Sequence, residues 1–564
     1  MAQQQRYDIG MSTYYRLRVA VILDRELQPA WLYVMLEKVK SLYFVELCLV
    51  IKQAPNNLGD ASPALWKLYH YVDDLLFGRV KDALAIRDVS DLLRGVPLRE
   101  IGLVVSDIEH FSNYNIDVQL DIGGGVDPTT LAGIARYGVW RYEFDDAPLR
   151  DLTAIGQREV FDAAPLTLSS LVSHLPDGQV VCLYRSQSRT VPFSPRRNRD
   201  NVYWKSATYA SRALMALHQS LATPNENILH PLPQGARDSG APMAAPIATA
   251  IASTSNGNET RHIDFNMTTM LARTGANLLG RAMQKLKFVD QWFVAFKFED
   301  EPSLPHALTG FQSMMPPKDR FWADPFPIER DGRYYVFIEE LPFASNKGFI
   351  SVMEVRADGS WTQPVKVLER DYHLSYPFLF EWQGDLFMLP ETGQNRTVEA
   401  YRCHHFPDDW RLEKVLLENV NSADATLVQI GDHWWMFVNI GEEGTELYDE
   451  LHLYHADQPF GPWVPHRNNP VKSDARSARP AGNLIQFEGG LYRPAQCCVP
   501  LYGSALSLNR VEQIDADMFS EQQVAHLTPD WLPGLLGAHT FNRAGRLTVV
   551  DGFQRTPRFG AVQK

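Results

Sequence analysis

The C-terminal half of the chain repeats itself five times, and that repetition constrains the fold more than any other feature. Each copy opens on a small or polar residue, runs through an apolar strand into a Gly- or Asp-containing turn, and returns in a second apolar strand. The openings are Ala323-Asp324-Pro325-Phe326, Ser375-Tyr376-Pro377-Phe378, Ser422-Ala423-Asp424-Ala425, Arg479-Pro480-Ala481-Gly482-Asn483 and Gly537-Ala538-His539-Thr540. With Phe326, Phe378, Leu427, Leu484 and Phe541 as equivalents, the steps are 52, 49, 57 and 57 residues. A period near fifty built from paired short strands suits a propeller blade of four strands, which cannot bury both faces alone. The repeat predicts an all-β five-bladed propeller over 289–564, with the opening residues gathered around one central channel.

At 564 residues the chain exceeds one core, and about 150 residues per domain suggests two to four domains. Residues 1–220 read as an α/β domain. A strand over 17–23, helical periodicity over 29–42 and a strand over 44–51 make a βαβ unit, so the sheet is expected to be doubly wound. Further strands are expected over 101–105, over 116–122 and from Gly138. Gly123-Gly124-Gly125 sits in a strand-to-helix turn, where backbone N–H groups can meet a phosphate, although any tight βα turn also tolerates glycine. Residues 221–262, rich in Pro, Ala, Ser, Thr and Gly, read as a flexible linker. Residues 263–288 form a connecting helix that mixes Leu271, Leu278, Leu279, Met283 and Leu286 with Arg273, Arg281, Lys285 and Lys287. It is expected to pack on a neighbouring domain, with peripheral contact to an anionic membrane as the alternative.

The net charge of -13 argues against a nucleic-acid partner. The five cysteines, Cys48, Cys182, Cys403, Cys497 and Cys498, lack metal-ligand spacing and read as free thiols. The N-terminus carries no apolar signal segment, and the expectation is a cytoplasmic protein. His404, His405 and His433 have no coherent partners, so no metal site is expected.

The propeller rule places Asp324, Tyr376, Asp424, Arg479 and His539 at the channel. Glu339, Glu340, Glu391, Gln496 and Asp551 stand at the ends of the following strands, and normal pleating favours Glu340 over Glu339 as the inward group. Carboxylates around one cleft suit glycosidic chemistry, because their repulsion keeps one protonated near neutrality. Arg479 and Arg493 are expected to grip a diphosphate or a carboxylate. Lys347-Gly348 and Tyr502-Gly503 lie on loops that can cap the cleft.

Phe321-Trp322-Ala323-Asp324-Pro325-Phe326, Asp474 to Gly482 (DARSARPAG), Leu491 to Gln496 (LYRPAQ), Tyr502-Gly503 and Gly537 to Phe541 (GAHTF) resemble one known propeller domain. That domain accompanies plant glucosamine inositolphosphorylceramide transferase and occurs in bacterial polysaccharide-locus proteins. Its architecture is similar to the five-bladed furanosidases, whose first-blade Asp-Pro carries catalysis and corresponds to Asp324. The later strings depart from those enzymes, leaving Asp424 and Glu391 as the nearest substitutes. The N-terminal half resembles a formyltransferase-like domain through Ile116 to Trp140, but the Asn and His expected next are absent, and no catalytic role carries over.

The resemblances and the site together imply a cytoplasmic glycosyltransferase of bacterial surface-polysaccharide biosynthesis, associated with the inner face of the membrane. No cofactor is firmly implied, and the donor is expected to be a nucleotide sugar carrying a furanose. The acceptor is expected to be a glycan or a lipid-linked glycan. Asp324, Asp424 and Glu391 are the expected catalytic carboxylates, and Arg479 and Arg493 the diphosphate clamp. Gln496, His539, Tyr376, Glu340, Asn483 and Tyr502 are expected to contact substrate. The alternatives are a furanosidase-like glycoside hydrolase and a non-catalytic carbohydrate-binding propeller.

Overall fold

The computed structural model describes residues 15–53, 64–77, 81–100, 111, 113–124, 127–144, 155–222, 275, 279–280, 283–284, 286–301 and 303–558. The chain divides into two compact units. The first comprises Met1–Arg158, Leu168–Arg185 and Arg196–Pro233, and the second Glu159–Thr167, Ser186–Pro195 and Gln234–Lys564.

A seven-stranded mixed sheet organises the first unit, in the order Leu98–Glu100, Val45–Lys52, Leu17–Leu23, Val118–Asp121, Val139–Phe144, Leu166–His174, Val180–Arg189, of which Leu166 and Thr167 and the stretch from Ser186 to Arg189 are counted with the second unit. The first five strands are parallel and Leu166–His174 joins antiparallel. Leu17, Val19, Val21 and Leu23 are fully buried on one face and Ala20 and Ile22 on the other, as a strand covered on both sides requires. The helix Ala30–Lys40 buries Trp31, Leu32, Met35, Leu36 and Val39 at helical spacing. Trp31 stacks on Tyr203 with centroids 4.9 Å apart. The strands expected over 17–23, 44–51, 116–122 and from Gly138 are present within a residue or two. The one over 101–105 lies outside the described residues.

The glycine turn is not an open anion cradle. Asp121 Oδ1 accepts the N–H groups of Gly123 (3.2 Å) and Gly124 (2.8 Å), and Arg141 Nε holds Oδ2 at 2.9 Å. A Cβ at Gly123 would lie 2.1 Å from Gln53 Nε2, so a larger residue there would have to move the Gln53 amide. Gly125 lies outside the described residues, as does the expected linker beyond Ala222. Within 263–288 the helical residues that are described include Leu279, Met283 and Leu286, all exposed. That corrects the expectation of a covered apolar face for these three side chains.

Five antiparallel blades make the propeller. Blade one runs Arg320–Arg330, Arg333–Pro342, Phe349–Val355, Val365–Leu368, and blade two Ser375–Trp382, Asp385–Thr392, Thr397–His405, Asp409–Glu418. Blade three is Ser422–Ile430, His433–Ile440, Glu450–Ala456, Val464–Pro465, with Lys472–Ser473 also pairing to its third strand. Blade four is Ile485–Phe487, Gly490–Cys497, Ala505–Ile514, Phe519–Leu527. Blade five takes Phe541–Ala544 and Leu547–Pro557 from the C-terminal end, and Phe288–Phe298 and Gln312–Met314 from the start of the propeller. The ring is thus closed by Phe288–Phe298 pairing with Leu547–Pro557 over eleven residues.

Between blades the cores are aromatic. Phe326 meets Tyr376 and Phe378 edge-on at 4.8 and 6.1 Å, and Phe378 stacks on Phe380. Each such fully buried side chain contributes about 1.5–3 kcal/mol.

Candidate active site

The inner strands carry a repeated backbone distortion that aims their first polar residue at the axis. In blades one to three the ladder skips two residues, Asp324-Pro325, Tyr376-Pro377 and Asp424-Ala425. The first of each pair lies in the left-handed region, with φ of 50°, 45° and 55°. Asp tolerates this region better than most residues, whereas Tyr there is a strained choice that its surroundings must impose. At the matching position of blade four stands Gly482, φ 128°, where a Cβ would lie 2.3 Å from Phe541 O.

Bonds across blades hold these bulges. The Asp324 N–H donates to Asp551 Oδ2 (3.2 Å), and the Tyr376 N–H donates to Asp324 Oδ2 (3.2 Å). Thr540 Oγ1 donates to Asp324 Oδ1 at 2.7 Å. Asp551 Oδ1 accepts the N–H groups of His539 (2.7 Å) and Thr540 (3.0 Å). The Gly482 N–H donates to the Tyr376 hydroxyl (2.7 Å), which also contacts Thr426 Oγ1 (2.8 Å). Blade four reaches blades two and three through Arg479. Its Nε donates to Asp424 Oδ2 (2.6 Å), Nη2 to Glu391 Oε2 (3.3 Å) and Nη1 to Leu447 O (3.0 Å). Gln496 Nε2 donates to the same Asp424 oxygen (2.7 Å) and to Pro480 O (2.9 Å).

The three carboxylates differ in what surrounds them. Burial and the neighbouring Asp424 charge push Glu391 well above the usual carboxylate range, against the lowering pull of Arg479. Glu391 is also the most open, with 18 % of its side chain exposed against 6 % for Asp324 and 2 % for Asp424. Burial, with Asp424, Glu339 and Asp551 nearby, pushes Asp324 up to about 7 although His539 draws it down. Burial pulls His539 down, but Asp551 and Asp324 outweigh it and raise the imidazole to about 9. Its Nδ1 lies 2.5 Å from Asp551 Oδ2, a close ion pair without good hydrogen-bond alignment. The ring stacks on Trp292 at 4.0 Å and meets Tyr502 edge-on at 5.3 Å.

Asp324, His539 and Asp551 present ligand atoms all within 4.8 Å of one another, a cluster able to hold a cation. The sequence reading had assigned no metal ligands. Here the imidazolium supplies the positive charge, and a metal ion would have to displace its proton to gain His539 as a ligand.

The structure brings Asp324, Asp424, Glu391, Arg479, Gln496, His539 and Tyr502 together and corrects the assignments of Arg493, Tyr376 and Glu340. Arg493 is buried in blade four, where Glu521 accepts from Nε and Nη2 (2.8 and 2.6 Å) and Ser477 O from Nη2 (2.6 Å). It cannot grip a diphosphate. Tyr376 is fully buried with its hydroxyl committed to Gly482 and Thr426, so it shapes the channel floor and contacts no sugar. Glu340 turns to Arg320 Nη1 and Ser351 Oγ, both at 2.7 Å. Glu339 is the inward residue. It meets His373 Nε2 at 3.2 Å, and both groups lie within electrostatic reach of Asp324. His373 Nδ1 accepts the Gly348 N–H (2.9 Å), which places the neutral ring's proton on Nε2 toward Glu339. Asn483 binds Asn542 Oδ1 through its N–H (2.7 Å) and leaves its own side-chain Oδ1 buried without a partner. Lys347 Nζ is taken by Arg370 O (2.7 Å).

Sequence reasoning missed Trp292, His373, Tyr448 and Thr540. Trp292 lies on the ring-closing strand, outside the repeat, so no periodicity could mark it. Tyr448 follows blade three's hairpin; its ring lies 5.5 Å from Tyr502 and 6.0 Å from the Arg479 guanidinium. All five cysteines are free, as expected. Among the described residues no helix is long and apolar enough to cross a membrane.

The family model of glucosamine inositolphosphorylceramide transferase 1, N-terminal, matches residues 308–531. Relatives of that name from Oryza sativa subsp. japonica and Arabidopsis thaliana are 34% and 30% identical over 208 and 211 residues. Each alignment covers 36% of this chain and spans less than a third of the relative's own length, 28% and 27%. Among solved structures the chain is similar to Zg3597, a family 117 glycoside hydrolase of Zobellia galactanivorans. The TM-score is 0.31 and the identity 13%, over 46% of this chain and 91% of that one. The five sheets, rather than that likeness, carry the architecture.

Proposed function

We propose that the propeller channel is a glycosyl-transfer site in which Glu391 and Asp324 handle the protons. The observation that carries this reading is the contrast between them. Glu391 is pushed well above the usual carboxylate range beside Asp424 and is the most open of the three carboxyl groups, while Asp324 is buried, hydrogen-bonded and pushed up to about 7. Glu391 protonates the departing oxygen, and Asp324 accepts the proton of the incoming hydroxyl. Asp424, saturated by Arg479 and Gln496, acts as the fixed charge that keeps Glu391 acidic. Trp292, Tyr502 and Tyr448 wall the site beside His539 and Arg479. The name of the matching relatives supports transfer as the reaction class.

The finer parts of the reading are adjusted to this geometry. Arg479 is taken up by Asp424, with Glu391 and Leu447 O on its other nitrogens, and Arg493 by Glu521, so the diphosphate clamp expected for a nucleotide sugar is not formed. A donor whose leaving oxygen needs a proton, a glycoside of a sugar or lipid, suits Glu391 better, and a furanose remains part of the reading. The acceptor is the hydroxyl of a glycan or lipid-linked glycan. A role in bacterial surface-polysaccharide assembly at the inner face of the membrane belongs to the same proposal and rests on the sequence. For the α/β unit we retain a scaffolding role without formyl transfer.

Hydrolysis is the second reading, because the same carboxylates serve water as readily as an alcohol. The test is incubation with aryl glycosides, oligosaccharide donors and nucleotide sugars, with and without acceptor, followed by mass spectrometry. A lengthened glycan lost in Glu391→Gln and Asp324→Asn supports transfer, and free sugar alone selects hydrolysis. No turnover, or turnover indifferent to both variants, removes the proposal.

A further inference from the structure

We infer that Arg189 is a positioning residue for Arg479, acting through the Glu446–Leu447–Tyr448 turn. Ser186–Pro195 belongs to the same compact unit as the propeller although it lies about a hundred residues before the propeller's first strand, Phe288–Phe298. Arg189 Nη2 donates to Glu446 Oε2 at 2.7 Å, and its guanidinium lies over the Tyr448 ring, 4.4 Å from the centroid. The residue between those two, Leu447, gives the carbonyl that accepts from Arg479 Nη1 (3.0 Å). Arg189 therefore grips both flanks of the one backbone oxygen that Arg479 uses.

The neighbouring residues hold the other approach to Arg479. The Ala475 N–H donates to Gln187 O (2.9 Å), Arg476 Nη2 to Gln187 Oε1 (2.8 Å), and Ser473 Oγ to Ser186 Oγ (2.8 Å). Arg479 follows three residues after Arg476. Its orientation decides how closely its charge approaches Glu391 and Asp424, and Tyr448 and Tyr502 wall its remaining face. An arginine suits this post because one planar group both pairs with the carboxylate and stacks on the ring. With Arg189 removed, the turn loses its clamp and Arg479 its fixed carbonyl. The pull that lowers Glu391 then weakens, so the alkaline limit of Glu391-dependent activity moves to higher pH.

This inference rests on the proposed acid role of Glu391 for its pH consequence, and the experiment separates the two. Amide hydrogen exchange is measured on the full chain for wild type, Arg189→Ala, Arg189→Lys and Glu446→Gln, over 442–450 and 474–481. Arg189→Ala is expected to speed exchange in both segments by about fivefold, with substantial recovery in Arg189→Lys, while blade two is unchanged. If Arg189→Ala does not fold, Glu446→Gln and Arg189→Lys decide, with loosening of 442–450 expected in the first. Unchanged exchange in Arg189→Ala, or in Glu446→Gln where Arg189→Ala does not fold, overturns the inference whatever reaction the channel performs. Where turnover is found, the alkaline limb of kcat/KM moves up in Arg189→Ala and returns toward wild type in Arg189→Lys. A loss of turnover with an unmoved limb overturns the action through Arg479.

Discussion

Arg479 Nε donates to Asp424 Oδ2 across 2.6 Å and joins blade four to blade three at the channel, with Gln496 on the same oxygen. Removing the guanidinium leaves Asp424 and Glu391 buried together with no cation. Arg479→Ala is therefore expected to cost about 3–5 kcal/mol in urea denaturation. Arg479→Lys keeps the charge but loses the fork and is expected to cost less. A cost under about 1 kcal/mol for the alanine variant would show the pair to be solvated.

Arg493 separates stability from function. Its guanidinium fills a buried site between Glu521, Ser477 and Ala478, away from the channel carboxylates. Arg493→Ala is expected to destabilise by about 3–5 kcal/mol and to leave saccharide affinity per folded molecule unchanged. Calorimetric titration on the folded fraction checks this, and a selective loss of affinity would restore Arg493 to the binding site.

The titrating groups give stability a defined pH course. His539 is raised from 6.5 to about 9, so its contribution is complete below 6.5 and is lost as pH rises through 9, by about 3 kcal/mol. Glu521 behaves oppositely. Burial resists its ionisation, but Arg493 and Lys472 hold it down near 2, so its contribution is present above 4.5 and lost as pH falls through 2. Melting temperatures across pH 6–9.5 are expected to decline in wild type and to decline less steeply in His539→Gln, where the raised Asp324 and Glu391 keep their own share of the slope. An equal decline in the variant would assign the slope elsewhere.

The five-blade architecture was legible because each blade repeats its strand order and its opening residue, and the inward residues of different blades follow from that. What the sequence hid were choices of face within a strand. Ala323 pairs with Glu339 and Trp322 with Glu340, and the two-residue bulge at Asp324-Pro325 resets which of the glutamates meets the channel. Arg493 lies three residues before Gln496 on one strand, and alternation alone could not reveal that Glu521 waits behind it. Tyr376 occupies the same bulge position as Asp324 and Asp424, yet its length carries its hydroxyl across to Gly482. Trp292 and Arg189 enter from outside the repeat, where only the folded chain places them.

Gly482 tests the left-handed bulge at blade four. A methyl group there would sit 2.3 Å from Phe541 O at a φ of 128°. Gly482→Ala is expected to cost about 1–3 kcal/mol and to weaken any saccharide binding by disturbing the Tyr376 hydroxyl contact. Denaturation and titration of the purified variant check both, and a neutral substitution would mean the blade-four turn is free to relax.

The central claim is that residues from separate blades make one proton-handling centre around Glu391. Infrared difference spectroscopy across pH, with Glu391→Gln as the subtraction reference, reads the protonation of that single carboxyl directly. The account predicts a Glu391 carboxyl that titrates well above the ordinary carboxylate range and falls toward it in Asp424→Asn. A Glu391 that titrates near 4.5 and ignores the loss of Asp424 would contradict it.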